Sequence, residues 1–184
     1  MRRTLAFVLI CAATEASSDT PIVDRISRAV ELPRHEALFR VLEDANTSLA
    51  PFETDGCSGG MSATWEPVAS ILPRLAETYK ASPPWESCCV THDRAYHNAS
   101  NAATASESYE ARLSADETLR QCVFLDGEAR RLTLAEEFAA QPDTINVVYK
   151  LIADGMFNAV RLGGAPCSGL SWRWGYGYPS CFWE

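Results

Sequence analysis

The segment Cys88-Cys89-Val90-Thr91-His92-Asp93-Arg94-Ala95-Tyr96 sets an imidazole beside a carboxylate, one helical turn after a cysteine pair. If it is helical, Cys89, His92, Asp93 and Tyr96 share one face, because residues three and four apart are neighbours. That face ordinarily turns to the core. A carboxylate there is costly unless a cation compensates it, so the pattern points to a working site. A second inward carboxylate, Asp116, stands in the apolar stripe Tyr109, Leu113, Leu119, Val123 of a later segment. A carboxylate on one ring nitrogen of His92 would fix its tautomer and leave the other nitrogen as a general base. With no serine or cysteine nucleophile beside the pair, the nucleophile is water. Asp93 is then available for a hard cation, which takes carboxylates and backbone carbonyls from a flexible loop. Thr54-Asp55-Gly56-Cys57-Ser58-Gly59-Gly60 is such a loop, although Thr-Asp-Gly is also an ordinary turn.

Two helices must carry these groups. The first holds the cysteine pair and follows the stop at Pro83-Pro84. The second runs from about Ser106 to Phe124, opened by a capping box of Thr104 and Glu107. If the two lie antiparallel with Cys88 bridged to Cys122, His92 sits about 6 Å and Asp116 about 9 Å along the axis from that anchor. The side chains are then roughly level. The rest of the chain also reads as helical. Amphipathic stretches are expected over Pro21–Val30 and His35–Ala45, with Ile22, Ile26, Val30 and then Leu38, Val41, Leu42 at helical spacing. Asn46–Gly60 is loop. Pro67–Lys80 is a helix interrupted or kinked at Pro73. Thr133 and Glu136 open a short helix ended by Pro142, and a third clear helix covers Asp143–Leu162 before Gly163-Gly164. The tail from Ala165 differs in kind: Trp172, Trp174, Tyr176, Tyr178, Phe182 and Trp183 lie among glycines and prolines, and their alternation suggests a small strand or hairpin. Packing is the ordinary role of such aromatics. His35 and His97 lack the setting of His92 and read as satisfied core histidines.

The chain of 184 residues is long enough for one domain with a sizeable core. Arg2 and Arg3, the apolar run Leu5–Ala13 and Thr14-Glu15-Ala16 read as a secretory leader over residues 1–16, leaving a single domain over 17–184. The run falls short of the about 20 residues needed to span a bilayer, and no later segment does so. The full chain has 16 Lys and Arg against 24 Asp and Glu, a net charge of −8. Loss of Arg2, Arg3 and Glu15 leaves 14 against 23, or −9. That excess argues against nucleic acid and against strong attraction to anionic surfaces. Six cysteines remain in the mature chain: Cys57, Cys88, Cys89, Cys122, Cys167 and Cys181. An even number in an exported chain implies disulfides, with 15 connectivities open. Cys167 and Cys181 bracket the tail and are expected to pair. A zinc site is the weaker reading, since no Cys-x-x-Cys pair is present.

Cys88–Tyr96 resembles the signature Cys-Cys-x-x-His-Asp-x-Cys-Tyr of the secreted, calcium-dependent phospholipases A2. It departs only at Ala95, and the family's partner cysteine for that position falls at Ala115, so both ends of one bridge are missing together. Cys122 follows Asp116 by six residues, as the family's helix-to-helix cysteine does. Thr54-Asp55-Gly56-Cys57 looks like the metal loop of the prokaryotic and fungal-like branch. The resemblance covers roughly residues 52–124. The expected fold is all-α: the resemblance implies two long antiparallel disulfide-linked helices and a calcium loop, to which the residues themselves add flanking helices and a short aromatic tail closed by Cys167 and Cys181. The resemblance implies bridges Cys57–Cys89 and Cys88–Cys122. It implies His92 as the base that activates water against the sn-2 ester of a glycerophospholipid, Asp116 as its orienting partner, and Tyr96 as a hydrogen-bond donor to Asp116. Calcium would be held by Asp93, the Asp55 side chain and the Gly56 carbonyl. The expected partner is phospholipid at a membrane or micelle interface, acted on by an extracellular or periplasmic monomer. Two alternatives stand beside this: a non-catalytic secreted binder or toxin on the same scaffold, and a calcium-dependent esterase for another lipid. The long gap between Cys57 and Cys89 and the tail beyond about residue 130 have no counterpart in the resemblance.

Overall fold

The computed structural model describes residues 22–57 and 62–181, apart from the side chains of residues 23, 24 and 62–64. The expected leader, Ser58, Gly59 and Gly60 of the loop, and Phe182 and Trp183 lie outside the described residues. Within them the chain is all-helical, with six α-helices, no strand and three disulfides. The helices are α1 Ile22–Leu42, α2 Ser62–Ile71, α3 Pro73–Tyr79, α4 Glu86–His97, α5 Ala105–Glu137 and α6 Pro142–Gly163, with a 3₁₀ turn Ala99–Asn101 after α4.

Antiparallel α4 and α5 form the frame. The Cys88–Cys122 bridge ties the start of α4 to the middle of α5, and further along α4 Tyr96 reaches back to Arg112. Cys57–Cys89 draws the preceding loop onto the same end of α4. α5 opens as its sequence predicts: Thr104 Oγ1 accepts the Glu107 N–H at 3.1 Å, and the Glu107 carboxylate accepts the Ala103 N–H at 3.0 Å. These bonds satisfy backbone donors that the first helical turn leaves unpaired. α6 packs along α5 and buries Ile145, Val148, Tyr149, Ile152 and Met156. Gly127 permits this approach, since a Cβ there would come within 2.3 Å of the Tyr149 ring. The main core lies among α2, α3, α4, α5 and α6 around Trp85, Leu75, Val123 and Ile152. A second cluster joins Leu38 of α1 to Tyr96 of α4 and Trp174 of the tail.

Several sequence expectations are corrected. The two expected stretches at the start are one helix, α1, with Pro33 inside it. Proline removes a helical hydrogen bond and costs about 3 kcal/mol. Glu31 and His35 bond to each other across the proline, and Glu31 also accepts from arginines of α5 and α6. Those ties hold the helix through the weak point. The stripe Ile22, Ile26, Val30 is not core: these residues are 73%, 60% and 63% exposed. The interruption expected at Pro73 is present, since Pro67–Lys80 falls in two helices, α2 and α3, separated at Leu72 with Pro73 opening the second; only the start differs, as α2 begins at Ser62 with Pro67 inside it. The break fits the first-turn preference of proline.

The Thr133–Glu136 box opens no helix, because α5 runs through it to Glu137. A cap needs a residue with extended dihedrals, and nothing from Gly127 to Leu132 breaks the helical run. The chain instead turns at Ala139, with φ +51°, before Pro142.

The tail is neither strand nor hairpin but a series of turns closed by Cys167–Cys181. Its backbone caps α4: Gly175 N donates to Tyr96 O at 2.7 Å and Gly177 N to His97 O at 3.0 Å. Gly177 must be glycine here, since a Cβ would stand 2.5 Å from the His97 ring. Trp174 is fully buried edge-on to Tyr96, so this aromatic belongs to the core.

Candidate active site

α4 presents His92, Asp93 and Tyr96 as the helical spacing requires, and α5 brings Asp116 opposite. His92 Nε2 lies 2.8 Å from Asp116 Oδ1, and Tyr96 Oη donates to the same oxygen at 2.7 Å. His92 and Tyr96 rings lie 4.1 Å apart, which pins the imidazole plane. An ionised Asp116 accepts only, so the contact places the His92 proton on Nε2 and leaves the Nδ1 lone pair open. Nδ1 faces Asp93, 3.9 Å from its Oδ1, an ion-pair distance rather than a hydrogen bond. Burial pulls the imidazole down, but Asp116 and Asp93 together outweigh it and His92 titrates above its usual value. Burial, and then the neighbouring Asp116 charge, push the Tyr96 phenol far up, so Tyr96 is a donor and not a base.

His92, Asp93, Asp55 and Gly56 line one cleft of about 50 Å³ with Leu119, Met156, Val160 and Trp172. That volume holds a water molecule, whose share of the liquid is about 30 Å³. An adjoining cleft of about 270 Å³ is bounded by Glu53, Asp55, Asp93, Trp172 and Tyr176. A larger groove, about 910 Å³ between α5 and α6, is lined by no imidazole, and in it Arg120 and Lys150 both pair with Asp154. It lies apart from the chemistry.

The residues lining the small cleft include the kinds of group a hard cation takes, namely the carboxyl residues Asp93 and Asp55 and the backbone of Gly56, whose φ of +66° turns the loop sharply. Thr54 Oγ1 donates to Asp93 Oδ2 at 2.5 Å and accepts the Gly56 N–H at 3.0 Å, tying the loop to the helix carboxylate. Negative potential collects here. Burial, then Asp93 and Asp55, raise Tyr176 to about 12. Among the described residues no three His, Cys, Asp or Glu side chains converge as a metal cluster. The fit rests on two carboxylates and a carbonyl.

Behind the dyad lies a buried ionic chain that the sequence reading did not contain. Arg161 of α6 donates Nη1 to Asp116 Oδ2 at 3.0 Å and Nη2 to Glu31 Oε2 at 2.6 Å. Arg112, fully buried on α5, donates Nη1 to Glu31 Oε1 and Nε to Tyr96 Oη at 3.1 Å. Its Nη2 bonds the Val160 and Arg161 carbonyls at 2.7 and 3.1 Å. Glu31 Oε1 also meets His35 Nε2 at 3.0 Å. His35 Nδ1 meets Ser108 Oγ at 2.8 Å, and that oxygen accepts from Trp174 Nε1 at 2.8 Å. Burial raises Glu31, but His35, Arg112 and Arg161 overcome it and hold the carboxyl at about 2. Burial keeps His35 below its usual value.

Of the six expected site residues, His92, Asp93, Asp55 and Gly56 line one cleft, while Asp116 and Tyr96 are buried behind His92 and bonded to it or to each other. His35 is the satisfied core histidine its context suggested. His97 is buried too, but its Nε2 has no hydrogen-bond partner, and the ring meets Phe52 and Tyr176 edge-on instead. Arg112 was legible in principle, four residues before Asp116 on the same stripe. Glu31 precedes His35 by the same step. Arg161 carries no such sign. The three expected disulfides are all formed, and no helix of the described residues is long and apolar enough to cross a membrane. No protein-family model, curated protein or solved structure matches this chain.

Proposed function

We propose that the chain is a secreted, calcium-dependent phospholipase A2 that releases fatty acid from the sn-2 position of glycerophospholipids. The observation that carries the reading is the placement of His92: Nε2 is held by buried Asp116, while Nδ1 lies 3.9 Å from Asp93, and His92 and Asp93 both line a water-sized cleft. A base so oriented takes a proton from water as that water attacks an ester carbonyl. Asp116 stabilises the imidazolium that results, and Tyr96 and Arg161 keep its carboxylate in place. His92 then returns the proton to the departing glycerol oxygen, leaving a lysophospholipid and a fatty acid. Asp93, Asp55 and the Gly56 carbonyl would hold calcium, whose charge supplies stabilisation for the developing oxyanion. Disulfides and the lack of a membrane-crossing helix among the described residues are compatible with export.

The test is fatty-acid release from phosphatidylcholine and phosphatidylglycerol vesicles, with calcium or with chelator. Wild type is expected to hydrolyse only with calcium, and His92→Gln to lose about 10³-fold or more in kcat. Hydrolysis that survives both chelation and the substitution would refute the mechanism.

A further inference from the structure

The two oxygens of Asp116 are held unequally. Oδ1 takes both His92 and Tyr96, from the same helix, whereas Oδ2 takes only Arg161. A carboxylate held by one oxygen can pivot about its Cβ–Cγ bond, and a donor on the second oxygen removes that freedom. Arg161 is itself fixed at both ends. Its backbone carbonyl accepts from Arg112, and its second amino group is seated on Glu31, which Arg112 and His35 hold in turn. α6 can come this close because it ends on glycine: a Cβ at Gly164 would stand 2.8 Å from the Tyr96 ring. The planar guanidinium thus spans two carboxylates from different helices, a geometry that a single ammonium cannot reproduce.

We propose that Arg161 is the positioning residue of the His92–Asp116 dyad, a fork that braces Asp116 against Glu31 and so fixes the angle at which Asp116 orients the imidazole. The proposal rests on the reading of His92 as the catalytic base. The bracing itself is independent of what substrate is cleaved.

Arg161→Lys separates bracing from charge, because it keeps the positive charge and gives up the fork. The expected result is a kcat about tenfold lower on phosphatidylcholine vesicles, with KM within about twofold and nearly unchanged thermal stability. Arg161→Met is expected to lose about 100-fold, and adding Glu31→Gln to it should cost little more, since Glu31 acts through Arg161. The second readout is the NMR signal of the His92 Nε2 proton at one fixed pH in calcium-free protein. It should be slowly exchanging and shifted downfield in wild type, and broadened in Arg161→Lys. A Lys variant with wild-type kcat would overturn the proposal, showing that charge alone suffices. So would a lowered kcat with an unaltered Nε2 signal. Should wild type release no fatty acid, the phospholipase reading fails while the NMR comparison still decides the role of Arg161.

Discussion

Asp116 is where two differently built halves of the molecule meet. On one side stand α4 and α5, joined by Cys88–Cys122, where every group on Asp116 Oδ1 comes from within one helical turn of the His92 motif. On the other side stand α1, α6 and the tail, which no disulfide links to that pair, and which reach Asp116 Oδ2 through Arg161 and the buried Glu31–Arg112 pair. A covalent staple acts largely by restricting the unfolded chain, and does so at any pH. An ion-pair chain acts in the folded state, and its desolvated charges are costly as soon as one is removed. The same carboxylate is thus fixed on one face by topology and on the other by protonation.

The largest effect should follow from breaking the covalent side. Removing Cys88 and Cys122 as Cys88→Ala with Cys122→Ala opens a loop of sequence separation 34 and should cost about 4 kcal/mol in urea unfolding. The same change at Cys167 and Cys181, separation 14, should cost about 3 kcal/mol. Equal losses would mean that the helix pair is held by its packing and not by its bridge.

Acid tests the ionic side. Glu31 is held at about 2 against an ordinary 4.5. A carboxyl lowered in this way stabilises the fold above its unfolded value and loses that contribution as pH falls from about 4.5 toward 2, roughly 3 kcal/mol in all. Unfolding free energy measured across that window should fall in wild type and be flatter in Glu31→Gln, which is less stable at neutral pH. A slope unchanged by Glu31→Gln would assign the acid sensitivity to other carboxylates.

The smallest effect belongs to the outer face of α1, where Ile26 is 60% exposed. Ile26→Ser should change stability by less than about 0.5 kcal/mol. A larger loss would show that this face is covered in solution and that α1 is held by more than its charges.

The sequence was most legible where a helix and its chemistry coincide. The four-residue step from Cys88 to His92 to Tyr96, and the matching descent from Cys122 to Asp116 to Arg112, need only helical geometry and one anchor to place the dyad. Thr104 and Glu107 marked the start of α5 because a cap is a local event. The same local rules misread Pro33, Thr133 and the stripe Ile22, Ile26, Val30. In each case a contact distant in sequence, or the absence of one, outweighed the local preference. Pro33 stays helical under the ties on Glu31 and His35, and the apolar stripe has no described neighbour to bury it.

By itself, then, the chain determined its helical class and the spacing that sets the imidazole, carboxylates and phenol on the facing sides of two helices, since these follow from periodicity within short segments; of the disulfides, only Cys167–Cys181 was read from the residues, and the other two pairings came from the resemblance. Only the tertiary structure decided that α6 ends against Tyr96, that the tail caps α4, and that Arg161 and Glu31 complete the surroundings of Asp116. Those residues lie 45 or more positions from Asp116 or on another helix altogether, and no periodicity within one helix specifies which buried charge on another helix will oppose it.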